Sequence, residues 1–252
     1  MEHGGNGTHF PLGVTRPTEQ SGSMTAETRV GEGRLSTTLR MHRDVADFVV
    51  TTTDPVCQER IVHMGWHRSG VDTFSRVLSA SGDVRRIHRT FATHLEEMVL
   101  QSARLRPIRW QDALATFTER TEGTSLTWWL YGSGAMAVRG LDIVPGDLDL
   151  AVSDPNLVAD LLADLLVEPV THHDRWVAEW TGRAFGGALI EWAARPRDHP
   201  EALEQSAVVA AQLETVVWRG KEIRLVPLAV QLGVATRRGL DERVRLLQRA
   251  LG

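Results

Sequence analysis

The sequence predicts an α/β fold of the α+β kind: a mixed β-sheet flanked by helices, preceded by an N-terminal helical extension. Two observations predict it. Helical and strand-like segments alternate through the middle of the chain, and two tight hairpin patterns join strands nearer its C-terminus. Strands that alternate with helices but are also joined by hairpins favour a mixed sheet over a purely parallel one.

The composition is that of a globular protein with a buried core. The 252 residues are 42% hydrophobic and 24% charged, and the formal net charge of -4 disfavours a dedicated nucleic-acid binder, which is usually basic. No apolar run approaches the ~20 residues that cross a bilayer, and no signal-peptide pattern is present. The single cysteine, Cys57, cannot form an internal disulfide. We therefore expect a cytoplasmic protein that does not enter a membrane.

The first 104 residues are predicted to form a tail and a helical extension. Residues 1–40 are rich in Gly, Thr, Ser and Glu and poor in large apolar side chains, which is typical of disorder. Residues 41–104 are predicted to be mostly helical. In the clearest of these helices, Asp83 is the predicted cap, and Ile87, Phe91 and Leu95 belong to an apolar stripe at helical spacing.

Residues 105–252 are predicted to form the core. A helix is expected over 107–121, a strand over 125–131, a tight turn at 132–134 with a helix after it, and a second strand over 148–152. A capped helix follows from residue 153, and hairpins are expected at 186–187 and around 219–221. A last amphipathic helix begins at Pro227 and is interrupted near Gly239.

Asp147 and Asp149 stand one residue apart in an apolar strand. Because residues i and i+2 of a strand point to the same side, their carboxylates project together, while Leu148 and Leu150 face the opposite layer. Two adjacent carboxylates repel each other unless a cation lies between them. Oxygen ligands suit Mg²⁺, and two such ions can clamp the attacking and leaving oxygens of a phosphoryl or nucleotidyl displacement.

Gly132 and Ser133 begin the turn between the first core strand and the following helix. Glycine lets a backbone approach a ligand closely, and a helix N-terminus offers N–H groups to phosphate. A triphosphate held here would lie beside metal ions at the acids. The turn is not a dinucleotide fingerprint, because Ala137 stands where a third glycine is needed, and no Gly-Lys-Ser/Thr of a P-loop follows it.

Glu191 is the candidate for a third acid in the same site. It lies in a predicted apolar strand, where a lone carboxylate is costly to bury. It is preferred to Glu179 because its neighbours are more uniformly apolar, and it would complete the metal site or act as the base. Arg237 and Arg238, in the last helix, are candidates for contacts with the phosphates, with a surface pair as the alternative.

The run Tyr131-Gly132-Ser133, followed by Gly146-Asp147-Leu148-Asp149-Leu150, resembles the motif of the nucleotidyltransferase superfamily, which is related to the DNA polymerase β catalytic core. The resemblance covers residues 107–250. Within the superfamily, the chain looks most like the small bacterial aminoglycoside and lincosamide nucleotidyltransferases. It implies a Mg²⁺-dependent enzyme that transfers a nucleoside monophosphate from a nucleoside triphosphate, such as ATP, and releases pyrophosphate.

The acceptor that this resemblance implies is a hydroxyl group on a small molecule, such as an aminoglycoside-like compound. Two alternatives stay open at this point. One is a toxin-like enzyme of the same superfamily that modifies tRNA or protein. The other is a non-catalytic nucleotide-binding regulator, although that role would not require the two acids to be kept.

Overall fold

The structure, a computed structural model, describes residues 28–30, 35–174 and 176–252. Within these residues the chain forms eight α-helices and two β-sheets, one of five strands and one of seven. The predicted fold class, a mixed α/β arrangement, is confirmed. Among the helices described, none has both the length and the apolar character needed to cross a bilayer.

The N-terminal sheet is antiparallel and has the strand order β1-β2-β3-β5-β4. Its strands are β1 (Thr28–Val30), β2 (Leu35–Met41), β3 (Val45–Thr51), β4 (His67–Arg68) and β5 (Thr73–Ser79), and the helices of this half are α1 (Pro55–His63) and α2 (Val84–Ser102). Helix α2 is the predicted helix, and the side chain of Asp83 caps it by accepting from the N–H of Arg86.

The prediction that residues 41–104 are mostly helical is wrong for β3, β4 and β5. Val45, Val49 and Val50 favour strands because they are β-branched, and β3 gains a pairing partner on each side. The predicted disorder of residues 1–40 is also wrong for 28–30 and 35–40, which pair as strands. The rest of that prediction, over 1–27 and 31–34, lies outside the described residues.

The second sheet has the strand order β11-β12-β6-β7-β10-β9-β8, and it is mixed because the pairs β12–β6 and β7–β10 are parallel. Its strands are β6 (Trp128–Tyr131), β7 (Asp147–Val152), β8 (Leu166–His172), β9 (Ala178–Phe185), β10 (Leu189–Pro196), β11 (Glu214–Trp218) and β12 (Lys221–Leu225). The predicted hairpins are β9–β10 and β11–β12, and β8 is a strand that the sequence patterns did not predict.

The helices around this sheet are α3 (Trp110–Thr121), α4 (Gly132–Val138), α5 (Pro155–Leu161), α6 (Ala207–Ala210), α7 (Leu228–Arg237) and α8 (Asp241–Leu251), with a short 3-10 helix at Pro200–Gln205. The predicted helices are present with their ends moved by a few residues. The short helices between β10 and β11 were not predicted, because they hold too few residues to show an apolar period.

The two sheets share one hydrophobic core, to which both halves of the chain contribute. They also meet directly where β5 runs beside β8: the N–H of Ser79 donates to Oγ1 of Thr171 at 3.4 Å, and Oγ of Ser81 donates to the carbonyl of Val170 at 3.2 Å. A cleft lies between the two sheets. The domain boundary predicted at residue 105 lies between α2 and α3 and stays a prediction.

Candidate functional site

The three predicted acids lie together on two neighbouring strands. Asp147 and Asp149 are on β7, and Glu191 is on β10, directly opposite Asp149 in the parallel pairing of the two strands. One carboxylate oxygen from each of the three lies within 4.8 Å of the others. Behind them, Leu148 and Leu150 are fully buried in the core, as the strand period predicts.

The glycine turn meets the acids because β6 pairs antiparallel with β7. This pairing sets Tyr131 opposite Asp149, so that Gly132 begins α4 beside that carboxylate. Gly132 has a positive φ of 62°, and a Cβ atom on it would lie 2.6 Å from Oδ2 of Asp149. Glycine meets both conditions without backbone strain and without displacing the carboxylate. Ser133, the next residue, is 2% exposed.

A fourth carboxylate and an amide hold this turn from behind, and sequence reasoning missed both. Oε1 of Glu204, in the 3-10 helix, accepts from the N–H of Gly132 at 3.2 Å. Gln231, in α7, donates from Nε2 to the carbonyl of Gly132 at 2.8 Å. Both side chains are nearly buried. No local pattern marks them, because their roles depend on contacts with a turn far away in the chain.

The acids are held in a setting that disfavours their charged forms. Burial raises the pKa of Asp147 to about 6, and the neighbouring charge of Glu191 adds to the rise. Burial, and then the charges of Asp147 and Glu191, raise the pKa of Asp149 well above its ordinary value. Burial also raises the pKa of Glu191 to about 7, against a lowering by Arg76. A bound cation would relieve this repulsion.

A chain of ion pairs connects the acids to the N-terminal sheet. Nε of Arg183, on β9, lies 2.8 Å from Oε1 of Glu191. Nη1 of Arg183 and Nη1 of Arg76, on β5, each lie 3.1 Å from Oε1 of Glu168. Glu168 is nearly buried on β8, the strand that the sequence did not reveal. The orientation of Glu191 is thus fixed by residues of both sheets.

A cleft of about 800 Å³ lies between the two sheets, beside the acids. Asp147 and Glu191 lie on its wall with Tyr131, and the N-terminal sheet and α2 provide other parts of the lining. A volume of this size is typical of small-molecule sites. The segment predicted as a helical extension therefore supplies part of the candidate site.

The predicted arginines are placed differently from the predicted acids. Arg238 forms an ion pair with Glu201, and Arg237 donates to the carbonyl of Pro200 at 3.1 Å. Their role toward phosphate stays a prediction. The positive charges that act on Asp147 are those of Arg243 and Arg104, and Nη1 of Arg104 donates to the carbonyl of Pro145 at 3.4 Å, two residues before Asp147.

The donor set fits a hard divalent cation. In the described part of the chain, Asp147, Asp149 and Glu191 are the group whose ligand atoms could hold a metal ion. All of its donors are carboxylate oxygens, which suit Mg²⁺. Glu179, the competing candidate, instead lies within 4.0 Å of Arg195 and Arg197. The geometry therefore favours Glu191 as the third acid.

No protein-family model and no curated protein sequence matches this chain. Solved structures similar to it include a Thermotoga maritima protein described as a nucleotidyltransferase, with 15% identity, a TM-score of 0.43, and coverage of 58% of this chain and 96% of that chain. Another is ANT(2″)-Ia in complex with adenylyl-2″-tobramycin, with 12% identity, a TM-score of 0.39, and coverage of 56% and 88%. A third is the lincosamide antibiotic adenylyltransferase LnuA bound to lincomycin, with 10% identity, a TM-score of 0.41, and coverage of 57% and 98%.

Proposed function

We propose that this protein is a Mg²⁺-dependent nucleotidyltransferase, which moves a nucleoside monophosphate from a nucleoside triphosphate to a hydroxyl group of a small molecule. One observation carries the proposal: three carboxylates converge within 4.8 Å, next to a turn in which Gly132 lies against Asp149. A cytoplasmic location belongs to the same proposal, as the sequence predicts.

Asp147 and Asp149 would hold Mg²⁺, with Glu191 beside them. The ion, when bound, offsets the negative charge of the phosphates at the reacting centre. Gly132 and Ser133 would position the triphosphate at the start of α4. Arg104 and Arg243 are better placed than Arg237 and Arg238 to contact phosphate, because their charges already act on Asp147.

In the proposed reaction, the acceptor hydroxyl oxygen forms a bond to the α-phosphorus. The bond from the α-phosphorus to the oxygen that bridges to the β-phosphorus breaks, and pyrophosphate leaves. The hydroxyl proton passes to Glu191, through the carboxylate oxygen that does not bind Nε of Arg183. Burial raises the pKa of this carboxylate to about 7 in the metal-free protein, and a positioned carboxylate can act as a general base toward a hydroxyl group.

The size of the cleft supports a small acceptor. Its volume of about 800 Å³ lies within the range of small-molecule pockets, and both sheets contribute to its lining. A tRNA end or a protein side chain is the alternative acceptor for the same chemistry. A regulator that only binds nucleotide is the alternative without chemistry.

The experiment that tests the proposal is incubation with Mg²⁺, each labelled nucleoside triphosphate and separate acceptor pools of small molecules, tRNA and protein. Pyrophosphate release should fall at least about a hundredfold in Asp149→Asn. The matched control is Asp160→Asn, an exposed acid on α5, which should keep full activity. Nucleotide binding with no pyrophosphate release in the presence of any acceptor pool would contradict the proposed enzyme activity. It would favour the nucleotide-binding regulator.

A further inference from the structure

Two arginines lie on the cleft wall beyond the three acids. Arg76 belongs to the N-terminal sheet and Arg183 to the second sheet, and both line the cleft. Their side chains are 21% and 18% exposed, so each is held in place yet accessible from the cleft. Glu168 binds both arginines through the same oxygen. Glu168 is thus shared by the two guanidinium groups, while Arg183 has Glu191 as a second partner.

Each of these arginines has an edge that is not engaged. Arg76 uses Nη1 for Glu168 and for the carbonyl of Met64 at 3.2 Å. Arg183 uses Nε for Glu191 and Nη1 for Glu168. Among the hydrogen bonds and ion pairs of the described residues, none uses Nη2 of either arginine. Guanidinium edges of this kind suit carboxylate and phosphate oxygens.

The rest of the cleft offers no counter-charge to a cationic ligand. Asp147 and Glu191 are the carboxylates among the described residues that line it, and in the proposed function Asp147 holds the metal ion and Glu191 accepts the hydroxyl proton. The remaining lining residues with ionisable nitrogen are His63, His67, Arg76, Arg104, His173 and Arg183. An acceptor rich in amines would therefore meet like charges, which lowers its affinity relative to an acidic one.

We propose that the acceptor carries an anionic group, a carboxylate or a phosphate monoester, in addition to the hydroxyl that is modified, and that Arg76 and Arg183 bind this group in the cleft. This inference rests on the proposed function and names the acceptor class for it. It replaces the expected aminoglycoside-like acceptor with an acidic small molecule. The anionic group takes no part in the bond changes, so these arginines determine specificity rather than chemistry.

The test uses four compounds on one scaffold: galactose, galacturonate, galactose 6-phosphate and galactosamine. Their binding to the full chain with Mg²⁺ is measured by ligand-observed NMR, which needs no turnover. Galacturonate or galactose 6-phosphate should bind at least about tenfold more tightly than galactose, and galactosamine no more tightly than galactose. The tighter of the two acids identifies carboxylate or phosphate as the group bound.

Equal or undetectable binding of all four compounds, or tighter binding of galactosamine, overturns the inference. Pyrophosphate release is measured separately with the labelled triphosphates. Its absence would overturn the proposed function, and the acceptor class with it. Pyrophosphate release that amine-containing acceptors stimulate most would overturn the proposed acceptor class but not the proposed function.

Variants locate the effect. Arg76→Gln should reduce the preference for the acidic compounds at least about fivefold, whereas Glu168→Gln should increase it because the shared counter-charge is lost. Opposite shifts from neighbouring residues cannot both arise from misfolding. The matched control is Arg89→Gln, which removes the same charge from the exposed side of α2 and should bind all four compounds as the wild type does.

Discussion

Gly132 and Asp149 approach each other so closely that a Cβ atom on Gly132 would lie 2.6 Å from Oδ2 of Asp149. Gly132→Ala should therefore displace the Asp149 carboxylate as well as strain the backbone at its φ of 62°. The strain alone costs about 1–2 kcal/mol. Binding of Mn²⁺, followed by calorimetry, should weaken at least about tenfold.

The control for that variant is Gly140→Ala. Gly140 also has a positive φ, of 83°, but no atom lies within 4 Å of the position of its Cβ. The Gly140→Ala variant should be less stable than the wild type in urea unfolding but should bind Mn²⁺ with the same affinity. Equal metal binding by the two variants would show that the approach of Gly132 to Asp149 is unimportant.

Asp149→Asn should make the metal-free protein more stable while it removes metal binding. The carboxylate is disfavoured by burial and by its acidic neighbours, and an amide carries no charge to repel. We expect a higher free energy of unfolding than that of the wild type at pH 8 with EDTA. Urea denaturation measures it, with Asp160→Asn as the variant that should show no gain.

Stabilisation by Mg²⁺ should grow as the pH rises. The ordinary pKa of Asp147 is 3.8 and its folded pKa is about 6, and that of Glu191 rises from 4.5 to about 7. Because their folded pKa values are raised, these two acids contribute most to the stability of the metal-free protein below about pH 4, and their contribution is lost as the pH rises through 6 to 7. Mg²⁺ binds the charged forms and reverses that loss.

Thermal melts with EDTA and with Mg²⁺, at pH 5.5 and at pH 8, measure this dependence. The increase in Tm that Mg²⁺ produces should be several degrees larger at pH 8 than at pH 5.5. The same increase at both pH values would mean that the ion binds elsewhere. In Asp149→Asn the difference between the two pH values should largely disappear.

His88 should make the N-terminal half sensitive to acid. It is 2% exposed, its ring contacts Phe48 at a centroid distance of 4.9 Å, and its Nε2 lies 3.0 Å from Oγ1 of Thr37. Burial lowers its pKa from 6.5 to about 4. The neutral imidazole of His88 therefore stabilises the folded protein fully above pH 6.5. This stabilisation is lost as the pH falls from 6.5 toward 4.

Urea unfolding at pH 7 and at pH 5 tests the role of His88. The wild type should lose about 2 kcal/mol more than His88→Gln between these two pH values, because glutamine does not titrate. A parallel loss in both proteins would assign the acid sensitivity to other groups.

The part of the site that the sequence predicts is the part built from neighbouring residues. A strand period places Asp147 and Asp149 on one side, and a strand followed by a glycine turn and a helix places Gly132 beside them. Glu191 could be predicted because a lone acid in an apolar strand needs a partner. These inferences need only local periodicity and one strand pairing.

The parts that the sequence does not predict depend on contacts between distant residues. The hydrogen bond from Gly132 to Glu204 joins residues 72 apart. Arg76 reaches Glu168 only because β5 of one sheet lies beside β8 of the other, and β8 contains Pro169, which makes a strand hard to recognise. The strands of the N-terminal half were missed because their pairing partners stabilise them more than their local pattern reveals.

The pairing of β7 with β10 has a consequence for how this protein would fail. Glu191 stands opposite Asp149, and a shift of one residue between these strands would bring Ile190 or Trp192 there instead. Such a slip would remove the third acid from the group in a single step and leave no weakened version of it. In the proposed function, a mispaired molecule would be inactive rather than have a reduced turnover rate. The fraction of active molecules in a preparation would then equal the fraction with correctly paired strands.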